Sequence, residues 1–195
     1  SSGCYYRCRW GSFVSLQAVS KRKANSMKIL NAKICSNGQI FDGEVTVDGE
    51  RIASVTPKET SSSLDETIID AKGMYVIPGL LDVHFHGCVG YDTCDASKEA
   101  FDKIAAYEGS EGVLAICPAT MTYPEDKLSE IMDIAADYES PEGADFVGLH
   151  LEGPFISKKY CGAQDPNNIV KADISIVDDL INCSKDKIRI ITLAY

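Results

Sequence analysis

The chain has 195 residues, of which 45% are hydrophobic and 25% are charged, proportions typical of a globular protein. Its formal net charge of -10 argues against nucleic acid or an anionic membrane as the main partner. No apolar run approaches the roughly 20 residues that a membrane-spanning helix needs, so we expect an ordinary soluble, globular chain.

Residues 1–26 differ in charge from the rest of the chain, because they include five basic residues and no acidic one. Met27 then begins a clean strand pattern, MKILNAKIC. We therefore predict that residues 1–26 are a non-native or leader segment, derived from a vector or translated from upstream sequence, with Met27 as the natural start. Their Arg- and Ser-rich, acid-poor composition leaves an organelle transit peptide as the alternative.

Short β-strands separated by turns are predicted between residues 27 and 76. Asparagine or aspartate followed by glycine, the strongest short hairpin signal, occurs at Asn37-Gly38, Asp42-Gly43 and Asp48-Gly49. The strands are expected at 28–34, 44–47, 51–55 and 67–70. This stretch predicts a small all-β domain with little sign of catalytic or metal-binding residues.

From residue 77 the pattern changes to alternating strands and helices. Strands are predicted at 80–84, 113–119, 145–151 and 188–193, and helices at 97–111, 123–138 and 173–182. Ser97 is expected to cap the first helix, and Pro124 to lie in the first turn of the second. The continuous apolar run at 113–119 is typical of a strand buried on both faces of a parallel sheet.

Four parallel strands with intervening helices predict either the first half of a (β/α)8 TIM-type barrel or part of an open α/β sheet. The barrel is favoured because polar motifs fall at the C-terminal ends of the first and third strands, where barrel active sites are built. The predicted fold class is therefore α/β: a partial barrel at 77–195, preceded by the small all-β domain.

Two of the three histidines in the chain lie in the stretch PGLLDVHFHG, at His84 and His86. Strand side chains alternate between faces, so residues two apart are expected to aim their imidazoles at one point. Gly87 permits a sharp turn or the close approach of a ligand. Two convergent imidazoles at a strand end indicate a metal site.

A second motif, HLEGPF, begins at His150 and places Glu152 at the end of the third strand. Glu152 completes a His-His-Glu set with His84 and His86, which suits a divalent ion such as zinc, iron, manganese or cobalt. His150 is expected to be a hydrogen-bonded core residue rather than a ligand. A third stretch, GAQDP, starts at residue 162; Gln164 is a candidate for binding a polar substrate, although the stretch also fits a simple turn.

Eight cysteines are present without any C-x-x-C pair, at positions 4, 8, 35, 88, 94, 117, 161 and 183. Free thiols in a reducing compartment are the preferred interpretation, which fits a cytoplasmic protein. Cys88 and Cys94 follow the histidines closely enough to be considered as further metal ligands.

The stretch DVHFHG after a small β domain resembles the amidohydrolase superfamily of metal-dependent barrel hydrolases. The combination of GLHLEGPFIS and KYCGAQDP resembles, more narrowly, the N-acetylglucosamine-6-phosphate deacetylase family, over about residues 27–193. The resemblance implies that Glu152 binds the catalytic metal and that His84 and His86 hold a second metal in members that have them. It also implies that Ala163 and Gln164 contact the sugar and that the full-length protein forms homodimers.

The reaction implied is hydrolysis of the acetamide of N-acetylglucosamine 6-phosphate to glucosamine 6-phosphate and acetate, in amino-sugar catabolism. A metal-activated water would attack the amide, and a carboxylate would carry the proton to the leaving amine. That family takes two further histidines and a catalytic aspartate from later strands, whereas His150 is the last histidine here and the chain ends at Tyr195. We therefore expect an N-terminal fragment that carries no catalytic acid–base residue and is inactive by itself.

Two alternatives remain open at this stage. One is another amidohydrolase, such as a dihydroorotase-like enzyme or an N-acyl-amino-acid hydrolase. The other is a truncated product without catalytic activity that acts as a binding or structural subunit.

Overall fold

The computed structural model describes residues 26–49, 51–57 and 67–194. Residues 1–25, which make up almost all of the predicted leader segment, lie outside these ranges. The chain divides into two compact units, with the boundary between Gly79 and Leu80.

The first unit is a five-stranded sheet in which the strand order is β3-β2-β1-β4, with β5 also pairing with β1. Strands β1, β2 and β3 pair antiparallel, whereas β4 and β5 run parallel to β1. All four predicted strands are confirmed, and the short β5 is added. The bounds are Met27–Ser36 for β1, Gln39–Asp48 for β2, Arg51–Thr56 for β3, Thr67–Asp70 for β4 and Tyr75–Val76 for β5.

Two of the three predicted turns in this unit are confirmed. Ser36 pairs with Gln39 across Asn37-Gly38, and Asp48 pairs with Arg51 across the next hairpin. The turn predicted at Asp42-Gly43 is wrong, because both residues lie inside β2, opposite β1. Gly43 instead permits close packing, since a Cβ atom there would lie 2.4 Å from the carbonyl oxygen of Thr56 on β3.

The core of the first unit is aliphatic, but it also contains a buried ion pair. Lys28 on β1 and Glu44 on β2 are 3.7 Å apart (Nζ to Oε1), and each side chain is 4% exposed. The pair is thus removed from solvent, so the attraction between its charges is screened only weakly. The buried apolar residues of this unit are Met27, Ile29, Ala32, Ile34, Val45, Val47, Ala71 and Val76.

The second unit contains parallel strands that pair with their neighbours in chain order. Strand β6 pairs with β9, β9 with β10 and β11 with β12, all parallel, and Ala119 forms a further parallel bridge with His150. A small antiparallel hairpin of β7 and β8 follows the first of these strands. The bounds are Leu80–Asp82 for β6, Gly87–Cys88 for β7, Tyr91–Asp92 for β8, Val113–Ile116 for β9, Asp145–Phe146 for β10, Leu149–Glu152 for β11 and Ile188–Thr192 for β12.

Three α-helices connect these strands, close to their predicted positions: α1 is Lys98–Ser110, α2 is Glu125–Ala136 and α3 is Ile174–Cys183. Ser97 caps α1 as predicted, because its hydroxyl accepts a hydrogen bond from the backbone N–H of Ala100. Pro124 lies one residue before α2, at the N-cap, instead of in its first turn. None of the helices in the described ranges has the length and apolarity needed to cross a membrane.

The core of the second unit forms where α1 and α2 pack on the strands. Phe101, Tyr138 and Phe146 stack edge to face at its centre, with ring centroids 5.1–5.4 Å apart. The expectation that 113–119 is buried on both faces holds only in part, because residues 113–115 are half-buried. On β6, Leu81 is 63% exposed, since this strand pairs with β9 alone among the described residues.

Candidate metal centre

The chain leaves the sheet just before the two histidines. Strand β6 ends at Asp82, so His84 and His86 do not lie on a strand, and the predicted strand 80–84 is too long. A carboxylate oxygen of Asp82 accepts a hydrogen bond from the backbone N–H of His84 at 3.1 Å, which bends the chain at this point. The carbonyl of Phe85 then accepts from the N–H of Ala119 at 2.7 Å and keeps the bent segment beside the neighbouring strand.

The bend still brings the three predicted metal ligands together. Possible ligand atoms of His84, His86 and Glu152 all lie within 4.8 Å of one another, and no other such group of three occurs within 26–49, 51–57 and 67–194. The Oε2 atom of Glu152 is 3.2 Å from Nε2 of His86 and 3.9 Å from Nε2 of His84. Backbone hydrogen bonding, and not strand alternation, therefore produces the convergence of the imidazoles.

Glu152 ends β11 and points an unsatisfied oxygen at the histidines. Its Oε2 atom is buried and accepts no hydrogen bond, while its backbone N–H donates to the hydroxyl of Thr120 at 3.3 Å. Nδ1 of His86 is 3.2 Å from the carbonyl oxygen of Ala119, which can only accept, so Nδ1 carries the proton and Nε2 offers a lone pair. Two acceptors 3.2 Å apart, one of them a buried carboxylate oxygen, fit a divalent cation between them.

His150 is buried beside this group without belonging to it. Its Nδ1 atom is 3.0 Å from the carbonyl oxygen of Val83 and 3.2 Å from Nδ1 of His84. Its Nε2 atom is 2.7 Å from the hydroxyl of Thr192 on β12. His150 is thus a hydrogen-bonded core residue, as expected from the sequence.

Gln164 and Ala163, the predicted substrate-binding pair, differ in their surroundings. Gln164 is buried, its Oε1 atom accepts a hydrogen bond from the backbone N–H of Thr122, and its Nε2 atom lies 3.5 Å from the sulfur of Met121. The side chain of Asn168 donates to the carbonyl of Thr122 at 3.3 Å, so Thr122 is held on both sides. Ala163 is exposed. Sugar contacts by either residue stay a prediction.

Sequence reasoning missed the threonines that support this region, Thr120, Thr122 and Thr192. Thr120 follows the second predicted strand, and Thr192 falls near the end of the fourth. A signal for both was present, because polar residues at the C-terminal ends of barrel strands are expected to face the site. Thr122 had no such signal.

The six cysteines in the described ranges are free thiols, as predicted; Cys4 and Cys8 lie outside those ranges. Neither Cys88 nor Cys94 joins the ligand group. Burial raises the pKa of the Cys94 thiol to about 12 and, together with the nearby Glu108, that of Cys88 to about 11. The structure therefore places both cysteines outside the candidate metal site.

The second unit thus combines parallel strands and helices with a His-His-Glu group where the strands end. No family model matches the chain. The solved structure of N-acetylglucosamine-6-phosphate deacetylase from Pasteurella multocida superimposes with a TM-score of 0.76 over 86% of this chain and 44% of that one. Its sequence identity is 23%, so this likeness concerns the fold.

Two curated relatives with similar sequences share one enzyme name. N-acetylglucosamine-6-phosphate deacetylase of Bacillus subtilis is 28% identical over 177 residues, covering 88% of this chain and 45% of the relative. The Homo sapiens enzyme of the same name is 30% identical over 179 residues, covering 88% of this chain and 44% of the relative. The chain is a homologue of the N-acetylglucosamine-6-phosphate deacetylases and spans less than half the length of these relatives.

Proposed function

We propose that this chain supplies the first metal ligands of a deacetylase that hydrolyses the acetamide of N-acetylglucosamine 6-phosphate to glucosamine 6-phosphate and acetate. The observation that carries the proposal is the buried Oε2 atom of Glu152, which accepts no hydrogen bond and faces Nε2 of His86 and of His84. The similarity to deacetylases over 88% of the chain supports the choice of substrate class.

The proposal includes an architecture. The parallel strands from β6 to β12 would form the first half of an eight-stranded barrel, within a domain at 77–195, preceded by a small β domain at 27–76 and a non-native or leader segment at 1–26. The parallel pairing of strands in chain order supports this, since a (β/α) barrel is wound in that way.

Glu152, His84 and His86 are the residues that would hold one or two divalent ions of zinc, iron, manganese or cobalt. A bound divalent ion supplies Lewis acidity, which lowers the pKa of a coordinated water and polarises the acetamide carbonyl. The hydrogen bond from His86 to the Ala119 carbonyl orients that ring and raises its basicity as a ligand. The hydroxyl of Thr120 holds the backbone of Glu152, so the carboxylate starts from a fixed position.

Amide hydrolysis also needs a group that gives a proton to the leaving amine. We assign no such group to this chain, and we expect residues 1–195 alone to be inactive. Ala163, exposed in the loop after β11, is placed in the substrate site together with Gln164. Cytoplasmic location and homodimer formation of the full-length protein are further parts of the proposal.

Binding of a metal to the chain tests the site itself. Untagged protein is titrated with MnCl2 or ZnCl2 in a calorimeter, and one saturable high-affinity event is expected. Glu152→Gln should abolish that event, whereas Glu139→Gln, an exposed residue of the same unit, should preserve it. Equal binding by the Glu152→Gln variant would refute the site.

A substrate panel tests the activity. The full-length protein that contains this sequence is assayed with N-acetylglucosamine 6-phosphate, N-acetylgalactosamine 6-phosphate, N-acetyl amino acids and dihydroorotate. Preference for one of the last two would favour the alternative amidohydrolases. Deacetylation by residues 1–195 alone would contradict the expected inactivity, and a stable, monodisperse but inactive chain that binds no metal would favour a structural subunit.

A further inference from the structure

The two histidines of the proposed metal site have different partners at Nδ1. Nδ1 of His86 faces the carbonyl oxygen of Ala119, a fixed acceptor. Nδ1 of His84 faces Nδ1 of His150 at 3.2 Å, a group that either donates or accepts according to its own protonation. The state of His84 therefore depends on His150, whereas the state of His86 does not.

The contacts of His150 determine where its proton lies. The carbonyl of Val83, 3.0 Å from Nδ1 of His150, can only accept, so Nδ1 of His150 carries the proton. In the neutral ring Nε2 is then an acceptor, and the Thr192 hydroxyl, 2.7 Å away, donates to it. Nδ1 of His84 faces an N–H and must accept, which leaves the proton of His84 on Nε2.

This arrangement makes the two histidines unequal toward a metal. His86 presents the Nε2 lone pair to Glu152, as a ligand must. His84 presents an Nε2–H group on the same side, 3.9 Å from Oε2 of Glu152, and so offers no lone pair to a metal there.

A second arrangement keeps one proton on each ring. Nδ1–H of His84 donates to Nδ1 of His150, and Nε2–H of His150 donates to the hydroxyl oxygen of Thr192, whose own proton rotates away. The Nε2 lone pair of His84 then faces Glu152, and the Val83 carbonyl loses its donor. No proton enters or leaves the group, so the two arrangements differ only in tautomer.

We propose that His150 and Thr192 are positioning residues that set which nitrogen of His84 carries its proton. In this inference, which rests on the metal site proposed above, His86 and Glu152 are the ready ligand pair, and His84 becomes a ligand only when His150 exchanges its Val83 contact for the second arrangement. The two positioning residues lie on neighbouring strands, because His150 is on β11 and Thr192 ends β12.

Nitrogen chemical shifts of the imidazoles test the inference, because they distinguish the two tautomers directly. In uniformly 15N-labelled, metal-free protein at one fixed pH, the proton is expected on Nδ1 of His86 and on Nε2 of His84. On addition of Zn²⁺, which is diamagnetic, the proton of His84 should move to Nδ1 and that of His150 to Nε2. A metal-free His84 already protonated at Nδ1 would overturn the inference.

Variants separate positioning from packing. His150→Phe, which has no nitrogen, should remove the switch and weaken zinc binding by about tenfold or more. His150→Asn keeps a polar atom near the position of Nδ1 and should restore most of the affinity. Thr192→Val should alter the His150 shifts, and Thr192→Ser should restore them. Unchanged His84 shifts and zinc affinity in His150→Phe would refute the role.

Separate control measurements test whether the variants fold and whether the metal site exists. The His86 shifts, which depend on Ala119, should be the same in all variants, and a change there would indicate general disruption, against a specific role for His150. The metal-free tautomers test the inference whether or not zinc binds. Absence of zinc binding by the unmodified protein would count against the proposed function instead.

Discussion

Each of the two units contains a carboxylate beside a basic side chain, Glu44 in the first and Glu152 in the second, but the surroundings of the two differ. Glu44 lies 3.7 Å from the Lys28 ammonium, and both side chains are 4% exposed. Glu152 is 22% exposed, and its Oε2 atom faces imidazole nitrogens without accepting a hydrogen bond. A neighbour that carries its own charge makes the first carboxylate structural. The nearest neighbour of the second, Nε2 of His86, offers a lone pair and leaves room for a cation.

The largest effect is expected from breaking the first pair. Glu44→Gln removes the carboxylate charge 3.7 Å from the buried Lys28 ammonium and should lower the free energy of unfolding of the first unit by about 3–5 kcal/mol. Urea unfolding followed by amide NMR signals of β1 and β2 measures this. Asp42→Asn, which removes the exposed partner of Lys33, should cost less than about 1 kcal/mol. Equal losses in the two variants would show that burial of the pair is not what matters.

Substitution of His86 should weaken zinc binding more than substitution of His84. His86→Asn removes the lone pair that already faces Glu152 and is expected to weaken zinc binding about 100-fold, against about tenfold for His84→Asn. Calorimetric titration of both variants under identical conditions provides the comparison, and each serves as the control for the other. A larger loss for His84→Asn would reverse the order of importance inferred from the structure.

The buried hydrogen bond between Gln164 and the Thr122 backbone should be measurable. Gln164→Leu removes the acceptor for the Thr122 N–H and should cost about 1 kcal/mol, with hydrogen exchange of that amide faster by about five- to tenfold. Gln164→Glu keeps an acceptor, and Ala163→Ser, next to it but exposed, should leave the exchange rate unchanged. Unaltered exchange in Gln164→Leu would free Gln164 for the predicted sugar contact.

The smallest effect is expected on the stability of the second unit without metal. Glu152→Gln removes a buried oxygen that has no donor, so the free energy of unfolding should change by less than about 1 kcal/mol, or rise. Urea unfolding in the presence of a chelator checks this. A loss as large as that for Glu44→Gln would mean that Glu152 is a structural ion-pair partner and would erase the contrast between the two carboxylates.

The sequence predicts that His84, His86 and Glu152 converge, and the structure brings them together. The predicted cause of that convergence is wrong. The His-x-His pair at the end of one predicted strand and the carboxylate at the end of another predict the set of His84, His86 and Glu152. Strand alternation was expected to align the histidines, but β6 ends at Asp82. The carboxylate of Asp82 offers the His84 N–H a local partner, and short side chains of this kind compete with the strand ladder.

The sequence by itself determined the features that depend on a few neighbouring residues: the hairpin at Asn37-Gly38, the cap at Ser97 and the order of strands and helices. Only the tertiary structure decided which polar side chains are buried and what they face. The glycine at position 43 packs against β3, and the imidazole of His150 meets that of His84 from 66 residues away. Such contacts arise from the packing of distant strands, and the local pattern contains no information about which atoms packing will bring together.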